Sequence, residues 1–256
     1  MTAFCDYVKF YDLLYADKDY QAESAFVQRL FGQRIQVPAD LVEMGCGTGI
    51  HASLMAEAGW KVFGVDMAED MIVAARNRLA LVPPVVRDRV TFARADIRNV
   101  ELGQSFSAAM SLFHVVSYLT TDSDLYAALT SIRRHLVPGG TFVFDFWHAP
   151  AILDGGPQRR EKIGESQEWL VHRLTQPVWE KDKDMVKVNF HITATNKTTG
   201  EVRKLHEEHA MRYFFPDVLM AALKDCGFSV DDCGEWLTGA PVRPDVFGVY
   251  IVARAE

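Results

Sequence analysis

The chain has 256 residues, 49% hydrophobic and 24% charged, the proportions of an ordinary globular protein and not of a disordered segment or a disulfide scaffold. A formal net charge of −7 argues against partners that offer long runs of phosphate, because displacing their counterions takes clustered Lys and Arg, so nucleic acid and anionic membrane surfaces are not expected partners. Cys5, Cys46, Cys226 and Cys233 form no CxxC pair, no signal-like apolar stretch opens the chain and no segment approaches the length of a membrane span, so reduced thiols and a cytoplasmic location are expected.

In chain order, Ala22, Ala25, Phe26, Leu30 and Phe31 fall near helical spacing and predict a helix over 20–31, closed off by Pro38. A short apolar run, 39–44, stops at a glycine cluster and is followed by a helical stretch, 50–58, ended by Gly59. The same alternation recurs as strand 62–66, helix 68–79, a Pro83-Pro84 break and strand 90–95. It continues as strand 106–112, helix 122–136, a turn at Pro138-Gly139-Gly140 and strand 141–146. Repeated βαβ units imply a parallel sheet, and right-handed crossovers gather all the strand ends on one edge, where ligands of such sheets bind.

Past Pro150 the pattern changes. Val186, Val188, Phe190, Ile192 and Ala194 alternate with polar residues, as in a half-buried strand, and flanking runs at 168–175 and 201–214 suggest an antiparallel meander. A helix over 216–226, with Pro at its start and Gly227 after its end, then leads to strands 228–236 and 246–253. The expected fold is α/β: one Rossmann-like, doubly wound domain over 1–256, mostly parallel with a closing antiparallel strand. An antiparallel β insertion over 165–215 would cover the active edge.

The segment from Glu43 to Gly49, E-M-G-C-G-T-G, joins a predicted strand to a predicted helix. Gly45, Gly47 and Gly49 permit positive φ and close approach of a ligand to the backbone. A dinucleotide fingerprint would read GxGxxG, but here the spacing is GxGxG and an acid precedes it, which a pyrophosphate would not welcome. A cationic ligand tolerates Glu43, and S-adenosylmethionine carries both an ammonium and a sulfonium, so the charge favours that cofactor over NAD. Asp66, ending the second strand, can accept both ribose hydroxyls; Asp96, ending the third, can accept from an adenine amino group, with the Ile97 N–H donating to the ring and Met67 and Ile97 sandwiching it. Each acid alone has an alternative as a helix cap or loop residue.

Taken together, E-M-G-C-G-T-G, G-V-D-M, A-D-I and H-L-V-P-G-G resemble the motif series of class I S-adenosylmethionine-dependent methyltransferases. Beyond that series, Tyr11-Asp12-Leu13-Leu14-Tyr15 with Lys18-Asp19-Tyr20, and 106–108 through 117–119, resemble the N-methyltransferases of nucleotide-linked deoxyaminosugars. The resemblance implies that Tyr11 and Tyr20, with Cys46 of the glycine turn, lie beside the cofactor. It implies that Arg243 meets substrate phosphates, the alternative being an ordinary surface arginine, that the substrate is a small molecule such as a nucleotide-linked sugar, and that a homodimer forms. The stretch 147–179 departs from that family's pattern.

Methyl transfer to an uncharged amine needs alignment and exclusion of water more than acid or base help. A hydroxyl acceptor would want a base, and His114, Tyr118 and His148 stand at the ends of the fourth and fifth strands, each with an alternative as a packing residue. Phe113 and Trp147 can wall the site. His206 and His209 are three apart in a predicted strand, so they point to opposite faces, and no metal site is expected. The reading from another class is a cofactor-binding scaffold without activity, or a dinucleotide enzyme with a drifted turn.

Overall fold

A computed structural model describes residues 7–32 and 34–256; Cys5 lies outside them. The chain opens with α1 (Val8–Leu14) and α2 (Tyr20–Gly32), then alternates β1 (Asp40–Met44), α3 (Ile50–Glu57), β2 (Lys61–Asp66), α4 (Glu69–Leu79), α5 (Pro84–Arg87), β3 (Val90–Arg94), β4 (Phe106–Ser111), α6 (Asp122–Arg134) and β5 (Leu136–Trp147). After α7 (Ala149–Asp154) come four strands, β6 (Arg160–Glu165), β7 (Trp169–Glu180), β8 (Met185–Asn196) and β9 (Val202–Arg212). Helix α8 (Pro216–Asp225), β10 (Phe228–Glu235) and β11 (Gly248–Ala255) close the chain.

Local chemistry sets several of these boundaries. The Thr121 side chain accepts from the Asp124 N–H and caps α6, whose first turn carries Asp122 and Asp124 against the positive end of the helix dipole. Pro216 begins α8, where its missing N–H costs nothing, and Gly227 follows its end at φ +80°. One expectation is corrected: Pro138-Gly139-Gly140 is not a turn ahead of a strand but lies inside β5. The β4–β5 ladder jumps from Phe106↔Leu136 to Ala108↔Thr141, so the proline, which has no N–H to pair, sits in a bulge. Helices α1, α5 and α7 and strand β6 were not anticipated. The meander therefore begins at Arg160, before the expected 165.

The main sheet runs β3-β2-β1-β4-β5-β11-β10, parallel through β5, with β11 antiparallel to both neighbours. Strand order reverses at β1, so the crevice beyond β1 and β4 is the topological switch point at which such sheets bind ligands. On one face α6 and α8 pack Leu129 and Leu223 against Phe142 and Phe144; on the other α2 and α3 pack Phe31 and Met55 against Leu41 and Val62. The second sheet, β6-β7-β8-β9, is wholly antiparallel. Its inner face (Trp169, Val171, Val188, Ile192) forms a third core with Phe10 and Leu14 of α1 and Trp147 of β5. Phe10 is buried edge-on to Trp169 at 5.2 Å. Burying a side chain of that size contributes about 1.5–3 kcal/mol, enough to pin α1 between the two sheets. Among the described residues no helix is long and apolar enough to cross a membrane.

Candidate active site

The glycine turn lies at the switch point. Gly45, Gly47 and Gly49 all have positive φ, but for different reasons. A Cβ at Gly45 would stand 2.7 Å from the Val115 side chain and one at Gly49 2.5 Å from the Phe92 ring, so these two serve packing; a Cβ at Gly47 would meet nothing within 4 Å, which makes it the open point of approach. Just before the turn, Glu43 is 1% exposed. Its Oε1 is 3.9 Å from His51 Nδ1 and its Oε2 has no hydrogen-bond partner among the described residues. Burial, and then the nearby Asp66, push its carboxyl well above the usual range. A buried carboxyl in this state invites a cation.

Asp66 accepts from the Gly47 N–H at 2.9 Å through one oxygen and from the Ala68 N–H at 2.9 Å through the other, and so fixes the height of the turn. Burial raises its pKa. A carboxylate has about four acceptor positions, so these two bonds leave capacity for a ribose diol. Asp96 is more committed: Arg98 clasps both its oxygens at 2.6–3.1 Å and holds its pKa down, while also reaching Asp124. An adenine amino group at Asp96 would share a carboxylate that already has a partner. Met67 is 52% exposed and Ile97 half-buried against the core, which leaves Met67 able to cover a ring.

On the other side of the crevice, Phe113 and His114 follow β4 with φ of 65° and 62°, two successive left-handed residues that are not glycine. Such backbone costs of order 1–3 kcal/mol per residue and persists only where its surroundings enforce it. Here the enforcing group is Asp145, buried in β5, which accepts from the His114 backbone N–H at 3.1 and 3.2 Å. His114 Nδ1 also lies 2.7 Å from Asp145 Oδ2, close but not aligned as a hydrogen bond. Trp147 and Phe247 ring the imidazole, and Tyr15 packs edge-on to Phe113 at 5.2 Å. Tyr118 turns its hydroxyl to His209 Nδ1 at 2.9 Å. Burial raises the Tyr118 pKa, and burial with the nearby Arg173 charge pushes His209 down to about 4, so both are neutral near pH 7.

Residues 41–140 match the methyltransferase-domain family. The chain is 30% identical over 244 residues to the dTDP-3-amino-3,4,6-trideoxy-α-D-glucopyranose N,N-dimethyltransferase of Streptomyces venezuelae, covering 94% of this chain and 96% of that one. It is 28% identical over 239 residues to the dTDP-4-amino-2,3,4,6-tetradeoxy-D-glucose N,N-dimethyltransferase of Saccharopolyspora spinosa, covering 92% and 89%. The chain is an S-adenosylmethionine-dependent methyltransferase related to these sugar N,N-dimethyltransferases. The crystal structure of DesVI from Streptomyces venezuelae superposes with a TM-score of 0.80 at 28% identity, covering 98% of this chain and 99% of that one. Both sheets of the methyltransferase therefore belong to the shared architecture. The unpartnered Glu43 Oε2 and the open approach at Gly47 fit S-adenosylmethionine, whose ammonium would complete the one while its backbone-hugging portion uses the other.

Tyr11 packs edge-on to Tyr7 and tilted against Tyr15, and Tyr20 lies edge-on to His51, the neighbour of Glu43, and beneath Lys18 Nζ. Cys46 is buried under the turn. His148 is also buried, with ring Nδ1 2.9 Å from the Val246 carbonyl and its backbone N–H donating to the Phe247 carbonyl, a geometry that serves the fold. Arg243 is exposed and faces Glu235 at 3.6 Å and Asp245 at 3.2 Å, outside the cluster. His206 and His209 do take opposite faces: His206 stacks on His191, whereas His209 is buried. Among the described residues no group of three or more His, Cys, Asp or Glu could hold a metal. Sequence reasoning missed Arg173 and Asp145, and met His209 only as half of a metal pair it set aside. The available signal was polarity out of place: an acid within the apolar run Phe142–Trp147, and an arginine in phase with Trp169 and Val171.

Proposed function

We propose that this methyltransferase methylates the amino group of a nucleotide-linked aminosugar. The observation that carries the reading is similarity along almost the whole chain, second sheet included, to enzymes named for that class of substrate. When bound, S-adenosylmethionine supplies a methyl group on a sulfonium, open to in-line displacement. The chain's own part is to hold an uncharged amine on that line and keep water out. Phe113, Trp147 and Phe247 supply apolar walls, and His114, set against Asp145, is positioned to take the proton the nitrogen must lose.

The same His114–Asp145 pair favours a second reading, a sugar O-methyltransferase, in which the imidazole would deprotonate a hydroxyl. Mass spectrometry of products from a dTDP-linked amino-deoxysugar and from its hydroxy counterpart separates the two. Methylation of the amine alone is expected, with His114→Asn still turning over at alkaline pH, where the amine is already neutral. Methylation of the hydroxy sugar alone, abolished in that variant at every pH, would sink the aminosugar reading.

A further inference from the structure

Among the described residues Arg173, on β7, is the largest fully buried side chain, at 0% exposure, and no carboxylate there hydrogen-bonds to it. Its Nη1 donates to the Tyr7 hydroxyl at 2.9 Å and the Tyr15 hydroxyl at 3.0 Å, and its guanidinium lies over the Phe190 ring at 4.4 Å and the Tyr15 ring at 5.1 Å. Its Nε and Nη2 have no hydrogen-bond partner among the described residues. These two nitrogens form one edge of the guanidinium plane, the fork that grips two oxygens of a phosphate or carboxylate side by side. Two residues along the same strand face, the hydroxyl of Thr175, also buried, has no partner either. The Arg173 charge helps to hold the Asp17 carboxyl low without a hydrogen bond between them; a buried charge with no bonded counter-charge is costly, and orphaned buried donors are rare enough to require a reason. Tyr15, which Nη1 meets, packs on Phe113, so the guanidinium lies beside the Phe113 side of the crevice.

We propose that the Nε–Nη2 edge of Arg173, with Thr175, binds an oxyanion of the methyl acceptor, so that the enzyme selects acceptors carrying a phosphate-like group. Tyr7 and Tyr15 hold the guanidinium in plane from its other edge. The proposal rests on the reading above only in taking the diphosphate of a nucleotide-linked sugar as that oxyanion.

The test is thermal stabilisation and calorimetric binding of inorganic pyrophosphate, and of thymidine diphosphate, to the protein loaded with S-adenosylhomocysteine. The wild type is expected to bind. Arg173→Met should lose about 30-fold or more in affinity while still binding S-adenosylhomocysteine, and its Tm without anion should hold or rise, since a buried charge with no bonded carboxylate is gone. If that variant does not fold, Arg173→Lys, which keeps the charge and loses the fork, should bind pyrophosphate about 10-fold more weakly than wild type. Equal pyrophosphate binding by the wild type and the foldable variant, or none by the wild type, would overturn the proposal. Pyrophosphate binding through Arg173 without turnover of any nucleotide-aminosugar would leave the proposal standing and remove the substrate reading. Turnover of such a sugar by the Arg173 variant at unchanged KM would do the reverse.

Discussion

The two walls of the crevice are built on opposite principles. The cofactor wall is local: Asp66 reaches back 19 residues to Gly47 and forward 2 to Ala68, and those bonds join one strand end to the neighbouring turn. The acceptor wall is assembled from far apart, Arg173 meeting Tyr7 across 166 residues and Tyr118 meeting His209 across 91. Among the described residues, the polar groups on the cofactor side mostly satisfy one another and leave one buried carboxyl oxygen, on Glu43, without a partner; on the other side the unpartnered groups are donors, at the buried Arg173. With the substrate proposed above, a donor that carries positive charge and an acceptor that carries negative charge would each meet the wall that lacks it.

The sharpest way to break this contrast is Asp66→Ala. It removes two charge-assisted bonds to backbone N–H groups, each worth about 1.5–3 kcal/mol, besides any ribose contact. Calorimetry should show S-adenosylhomocysteine affinity down by about 10²–10³-fold, with pyrophosphate binding at Arg173 much less affected. Equal losses at both would mean that the walls are not independent.

The next effect belongs to the acceptor wall. His209 has its pKa pushed down from an ordinary 6.5 to about 4 by burial and by the Arg173 charge. Between those values the unfolded chain binds the proton and the folded one does not. The stability tied to this group is therefore complete above pH 6.5 and lost as pH falls towards 4, a difference of about 3 kcal/mol. Urea unfolding followed from pH 7 to 4 should show a shallower decline in His209→Asn than in the wild type. Parallel declines would mean that His209 is charged in the folded protein.

The contrast also explains what the sequence disclosed. Glu43, the glycine turn and Asp66 could be read because a motif confined to one βαβ unit carries its geometry in its spacing, and the alternation of strands and helices announced the main sheet. Arg173 could not be assigned a role, because its meaning depends on β7 packing under α1, a contact that no local pattern encodes. Asp145 was hidden for the same reason: from sequence it is one acid in an apolar strand, and only the fold places it under the strained His114 backbone. The Pro138-Gly139-Gly140 bulge was misread as a turn because its residues favour both, and pairing with β4 decides between them.

A smaller effect sharpens the cofactor side. Glu43 is held above the usual carboxyl range before any cation arrives, so binding an ammonium there should ionise it and release a proton. Affinity for S-adenosylhomocysteine should rise with pH through the Glu43 titration, and the binding enthalpy should depend on the ionisation enthalpy of the buffer. Glu43→Gln should abolish the proton release and cost about 10-fold in affinity. Because it removes a buried, incompletely paired acid, it should leave the unliganded protein at least as stable as the wild type. Buffer-independent enthalpies in the wild type would show that this carboxyl does not meet the charge.

The smallest expected effect tests whether the acceptor's anion is held by the buried arginine or by the exposed one. Arg243 faces Glu235 and Asp245 with about half its side chain in solvent, and exposed pairs of this kind are worth about 0–1 kcal/mol. Arg243→Ala should therefore change Tm little and raise KM for an acceptor by no more than about 3-fold, whereas Arg173→Met should raise it by about 30-fold or more. The reverse order would move the anion to the surface loop before β11 and leave Arg173 as a brace for Tyr7 and Tyr15. KM for both variants, measured side by side at low and high ionic strength, decides it. Solvent ions screen the exposed arginine far more than the buried one, so a salt-sensitive KM would point to Arg243 and a salt-insensitive one to Arg173.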